Sequence, residues 1–583
     1  PPTQDMRVVR NTIKSDDRMV CVFITIIPLM TYIFTKYKDR YKNKCPMKTL
    51  LLSLLLSPFW LSAQDWPLLR QIDGSGSEDI LEICPLSDGN IAVAGIFTGD
   101  APFGGNGSSA GKSDIFLACY DAQLERKWHI AGGNLETDEV TGLAQFPNGD
   151  IALSGAFWFS LPLGDTTLES GSSVRSLFLA RVRANGQLRW AQRFSGDGLK
   201  QIGDIRSTAD GGLVLAGYFE NDLQLGDSLL ISEAEPGSTS LFVARLNGDG
   251  ALQWVQQAGN TGNSRIAAMA LAPDGTIAVG GNFDGTFSLA GSALDAGFFD
   301  TDVFVAAFSA EGTPLWARDA GGVVFDDLKA LTVDSSGHIY ITGDITGVMN
   351  VSDEIVIESS TGNSDVFLIK YDLSGEPLWA KAFGGQDVQT GNSIATAADR
   401  VVVGGSFQGP IAYDGLSATT GDMSTAWGYL SGFDQATGEG QWLQTVPTGD
   451  LGLVRALAFL PNRDLLAGGL FGPSAEFDGV QLTAMGELSA FLGLRPAVIT
   501  NTQAPTPAKQ TFTLFPNPAR EVVQVQPYHA DWRIQLLNAM GQTVSPPAEG
   551  GRLQVGHLPG GLYYVRVVDE EAEVQLLPLL VDH

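Results

Sequence analysis

Histidine, cysteine and basic residues are all scarce in this chain. Four Cys and five His leave few soft ligands, and no CxxC pair or Cys/His cluster points to zinc. HExxH does not occur, so the sequence signature of zincins is missing. Lys and Arg number 36 against 65 Asp and Glu, a net charge of -29. Without a basic stripe nothing would release counterions from a phosphate backbone, so nucleic acid is not an expected partner. Long amphipathic helical patterns are lacking, and no transmembrane segment is expected in the mature chain.

What is plentiful is glycine, 69 residues, and it is periodic. Seven tryptophans, Trp66, Trp128, Trp190, Trp254, Trp316, Trp379 and Trp442, are spaced by 62 to 64 residues. In phase with them run seven glycines (Gly95, Gly155, Gly217, Gly281, Gly343, Gly405, Gly469), each with an apolar residue two places on. A third series places Phe116, Phe178, Phe242, Phe304, Phe367, Tyr429 and Phe491 inside short apolar strands. A fixed period is the mark of a repeat architecture. Each unit reads as four short strands joined by Gly turns, a sheet that must stack on its neighbours to bury both faces. The framework glycines are expected where strands bend or another backbone comes close. Extra small hairpins are expected between second and third strands, as at Leu161–Leu168, Leu223–Leu229, Phe287–Leu294 and Ala475–Leu482, projecting from one rim.

The last unit lacks a Trp-bearing strand and the first Trp strand, from Trp66 to Ile72, has no earlier partner. One spare strand and one missing strand close a circle and remove the open edges. The expected fold is therefore all-β: a seven-bladed β-propeller with strand-exchange closure over 64–497, then a linker (498–511) and a small C-terminal β-sandwich (512–583). The repeat resembles the seven-bladed propeller repeat called SBBP, best at Gly362, Asp365, Phe367, Gly375, Trp379, Gly384 and Gly385. That resemblance implies a scaffold and no particular reaction.

Both ends read as addresses. Met47-Lys48, an apolar run from Leu50 to Leu61 and the small residues before Gln64 predict a signal peptide (47–63) cleaved between Ala63 and Gln64. Residues 1–46 are expected to be a non-native upstream extension. At the other end, Phe515-Pro516-Asn517-Pro518, the strand running to Gly541, and Gly561-Leu562-Tyr563 resemble the type A C-terminal sorting domain of type IX secretion cargo. The resemblance implies the type IX machinery as a partner and an extracellular or outer-membrane-surface location after signal-dependent export.

Catalytic residues do not emerge. His129 follows a framework Trp and His338 sits in a turn, both read as structural. Cys84 and Cys119 fall outside the repeated framework. Asp79, Glu139, Asp204 and Asp327 could line the channel and hold a hard cation, but they are read as sharing no common repeat position and as solvated strand ends; a structural divalent cation would be the only metal, and no cofactor is expected. The expectation is a non-enzymatic scaffold binding protein or glycan through rim loops or the channel mouth. The alternative is a polysaccharide hydrolase or lyase whose carboxylates gather at one face.

Overall fold

Short alternating runs closed by Gly turns build each repeat. In blade five, Asp327–Val333, Ile339–Ile345, Asp365–Tyr371 and Pro377–Phe383 pair antiparallel in that order. Gly337, at φ 90°, turns the first strand into the second, a conformation that glycine adopts without steric cost. The computed structural model describes residues 66–496, apart from 101–102, 104–108, 110, 172–173, 260–261, 298–299, 361–362 and 398. Beyond these it describes 513–515, 519–526, 533–538, 544, 551–568 and 574–581. The expected upstream extension, signal peptide, cleavage site at Ala63 and Gln64, and linker fall outside the described residues.

Seven four-stranded antiparallel sheets are present. Their first strands are Glu78–Pro85, Glu139–Gln145, Lys200–Ser207, Ser264–Leu271, Asp327–Val333, Gln389–Ala397 and Leu451–Phe459. Each packs against the next, and the seventh packs against the first. The protein is a seven-bladed β-propeller. In the seventh blade the outer strand is Leu68–Ile72, which pairs antiparallel with Ser489–Arg495: Leu68 lies opposite Leu494 and Ile72 opposite Ala490.

The glycine and aromatic series meet in space. Each framework glycine is the cross-strand partner of the aromatic residue of the same unit, from Gly95 with Phe116 to Gly469 with Phe491. On its other side each faces a β-bulge in the first strand. At Gly343 a β-carbon would stand 1.9 Å from the Asp327 carbonyl oxygen. The bulge presses backbone onto the glycine, and the aromatic ring covers the face that a side chain would have filled.

Among the described residues, six blades carry a small hairpin between second and third strands. The four expected ones are found, with Leu161 opposite Leu168 and Ala475 opposite Leu482. Two more, at Val348–Glu358 and Pro410–Thr419, were not read from the sequence. They do not simply project. Leu161, Leu223, Met349 and Ile411 are wholly buried, and the hairpins of blades three, five, six and seven each bridge to the end of the preceding blade's outer strand, as Ser195 does to Gln224. The hairpins are wedges between blades. Two adjacent glycines make room at one such junction: a β-carbon on Gly321 would strike the Asp302 carboxylate, and one on Gly322 the Val348 carbonyl of the next hairpin.

Cys84 and Cys119 are both free. Each lies opposite Ala92, one on either side, so a whole strand separates them, beyond disulfide reach.

In the C-terminal segment, Thr513–Phe515, Val522–Gln526 and Arg552–Gln554 form one sheet, and Arg533–Leu537, Gly561–Val568 and Val574–Val581 another. Val523, Val525, Ile534, Leu536, Val565 and Leu579 from the two sheets share one buried cluster.

Candidate functional site

Antiparallel connectivity sorts the loops of every blade. The links from each outer strand to the next first strand, and the hairpin-bearing links from second to third strands, emerge at one end of the ring. The tight turns emerge at the other.

The two ends differ in chemistry. Among the described residues, every exposed large apolar side chain except Leu315 and Leu378 belongs to the hairpin-bearing end. Val323 is 85% exposed and Phe325 65%. Leu199 and Val388 are also exposed and hold the register of Phe325, one residue ahead of a buried polar residue: Lys200, Gln389 and Asp326 respectively. Phe159, exposed as well, has φ 57° where the equivalent positions carry Asn221, Gly285, Gly347 and Gly409. A bulky residue held in the left-handed region is a strain that clusters at functional sites.

Charge is segregated too. The connecting segments of this end are rich in Asp and Glu, and their only bases are Lys112 and Arg175. Both are engaged, Lys112 with Glu136 at 2.8 Å and Arg175 with Glu139. At the turn end carboxylates meet arginines: Asp150 binds Arg181 and Arg189, Asp210 binds Arg245, and Glu376 binds Arg318.

Beneath the hairpins lies a layer of buried acids. Burial pushes Glu78, Asp138 and Asp302 up to about 7 and Asp326 up to about 8. The repulsion of Asp302 and Asp300 adds to the rise at Asp326, against the Thr346 N–H that donates to it. In the next blade the position of Asp326 is taken by Gln389, a neutral group. Its amide accepts from the Gly385 N–H at 2.8 Å and donates to the Gln408 carbonyl at 3.0 Å.

The four acids proposed for the channel do not converge. Asp79, Glu139 and Asp327 do share one register, each one residue ahead of the pair that flanks the bulge, contrary to the sequence reading; Asp204 lies further along, level with Glu82. Nor are Asp79 and Asp204 solvated strand ends: both are buried. Asp79 accepts from Arg455 of blade seven at 3.1 Å, and Asp204 is paired with Arg206 and accepts from the Met269 N–H. Glu82 is raised by burial, then by Asp204, with Arg206 opposing. Among the described residues no three acidic, His or Cys side chains form a metal-binding group.

His338 binds Asp334 in its turn at 3.0 Å. His129 lies against Phe103, and burial followed by the Arg126 charge lowers its pKa. In the sorting motif, Phe515 ends a strand, Gly561 opens one, and the buried Tyr563 donates to the Pro559 carbonyl at 3.0 Å. Pro516, Asn517, Pro518 and Gly541 lie outside the described residues.

The sequence reading missed the apolar loop residues. The signal was present as Val323-Val324-Phe325 directly after a Gly pair, in a link that should be polar.

Comparison with known proteins adds the following. The regulatory protein FlaEY of Caulobacter vibrioides is 30% identical over 351 residues, 56% of this chain and 36% of its own length. The uncharacterized WD repeat-containing protein L264 of Acanthamoeba polyphaga mimivirus is 22% identical over 382 residues, 52% of this chain and 27% of its own length. The chain thus spans about a third of these curated relatives. Among solved structures, the WD40 β-propeller domain of Doa1 is 10% identical, covering 74% of this chain and 97% of that one, with a TM-score of 0.37. The Dos1 propeller is likewise 10% identical, covering 73% of this chain and 94% of that one, with a TM-score of 0.34. Residues 513–576 match the secretion system C-terminal sorting domain. The chain is a seven-bladed β-propeller that ends in a sorting domain, which implies handling by the type IX machinery and export to the cell surface or beyond.

Proposed function

We propose that this protein is a non-enzymatic binding scaffold, secreted or held at the cell surface, that engages protein or glycan through the hairpin-bearing end of its ring. The observation that carries the reading is the collection of exposed apolar side chains at that one end. Soluble monomers rarely leave such groups clustered unless a partner covers them. The SBBP-type repeat, the C-terminal β-sandwich and removal of a signal peptide after Ala63 belong to the same reading. So does closure by strand exchange, which the pairing of Leu68–Ile72 with Ser489–Arg495 supports.

Secreted full-length protein is tested on arrays of surface glycans and purified surface proteins against the double variant Val323→Ser, Phe325→Ser. Retention that the variant loses is expected. Equal retention by both proteins would overturn the reading. So would cleavage of a polysaccharide that stops on Glu82→Gln, which would install the hydrolase alternative instead.

A further inference from the structure

At the hairpin-bearing end the apolar side chains stand beside carboxylates. Leu199 comes two residues after Asp197, Val388 follows Asp387, and Met423 follows Asp422. The two bases of these segments are already paired, and Lys200, which borders them, is buried with its ammonium donating to the Gly196 and Gly198 carbonyls, so carboxylates remain in excess. A single exposed ion pair is worth little, about 0–1 kcal/mol. Many like charges around one opening, however, sum to a potential that selects the sign of what approaches. An anionic polymer is repelled by this end. A neutral glycan would leave the carboxylates without partners.

We propose that the partner is a cationic polypeptide, one that presents lysine or arginine interleaved with aliphatic or aromatic side chains. This rests on the binding-face reading above and names the chemistry of what that face holds. Its apolar side chains would cover Val323, Phe325, Leu199 and Val388, while its cations meet the flanking carboxylates. The apolar contacts supply most of the affinity, and the charges supply the choice of partner.

The test uses the secreted full chain and three synthetic peptides of equal length: alternating Lys and Leu, alternating Glu and Leu, and alternating Lys and Ser. The Lys/Leu peptide is expected to bind at least about tenfold more tightly than either other peptide. Its binding should weaken as salt rises from about 0.05 to about 0.5 M, as screening shortens the reach of the field. Val323→Ser with Phe325→Ser should weaken it roughly tenfold, as loss of an interface anchor does. Leu315→Ser with Leu378→Ser, at exposed outer-strand positions, should leave it unchanged. Equal binding of the Lys/Leu and Glu/Leu peptides, or of the Lys/Ser peptide, overturns the proposal. If the first double variant spares peptide binding but abolishes retention of a neutral glycan, the binding face stands and the cationic partner falls. If that variant changes nothing at all, both fall.

Discussion

A tryptophan repeated in every blade does not make the same bond in every blade. Trp128, Trp316 and Trp379 donate Nε1–H to carbonyls of the following blade, at Ala184, Leu373 and Gln435. Beside Trp190 and Trp254 stand Arg181 and Arg245, which instead donate to Gly248 and Ala310 of the following blade. The Nε1 groups of those two tryptophans are buried without a partner. The consequence is a measurable asymmetry. Trp316→Phe should cost about 1 kcal/mol for its lost hydrogen bond. Trp254→Phe, which removes an unsatisfied donor while keeping a ring, should be nearly neutral. Urea unfolding midpoints of the two variants distinguish them. The sequence displayed the tryptophans plainly through their spacing. It could not display the acceptors, because those carbonyls belong to the following blade, more than 50 residues away.

At the scale of elements, the hairpins decide how blades meet. Their alternation made Leu161, Leu223 and Ala475 legible as strand residues. Their docking was not legible, since period-two alternation tells which side chains share a face and nothing about what covers that face. Leu223 is wholly buried, whereas Leu229, on the returning strand of the same hairpin, is 56% exposed. Leu223→Ala is expected to cost about 3 kcal/mol by opening a cavity between blades two and three. Leu229→Ala should change stability by less than about 0.5 kcal/mol. Thermal melts of the two variants test whether the hairpin is a wedge; equal effects would make it an ornament.

For the whole molecule the buried acids set a pH dependence. Glu78, Asp138, Asp302 and Asp326 begin from ordinary values of 4.5 or 3.8 and are raised to about 7 or 8 in the fold. Between those limits the folded state keeps protons that the unfolded chain has released, so stability falls as pH rises. Melting temperature should therefore decline from about pH 5 to about pH 8 and level off above. Asp326→Asn, which copies the neutral group found at Gln389, should flatten that decline. Seven repeats, their strand order and the sorting domain could all be read in advance, because each leaves a periodic or terminal mark. The chemically distinct end could not. Leu135, Leu199 and Val388 fall at one end of the ring only after antiparallel connectivity has assigned each loop to one side, and no spacing rule announces that.

The pairing of Leu68 with Leu494 has a temporal consequence. The first strand of the ring to leave the ribosome finds its neighbour only after more than four hundred further residues have been made, so the nascent chain must wait with that edge unmatched. A contact of such long sequence separation is slow to form. Docking of the amino-terminal strand is therefore expected among the last steps of ring assembly.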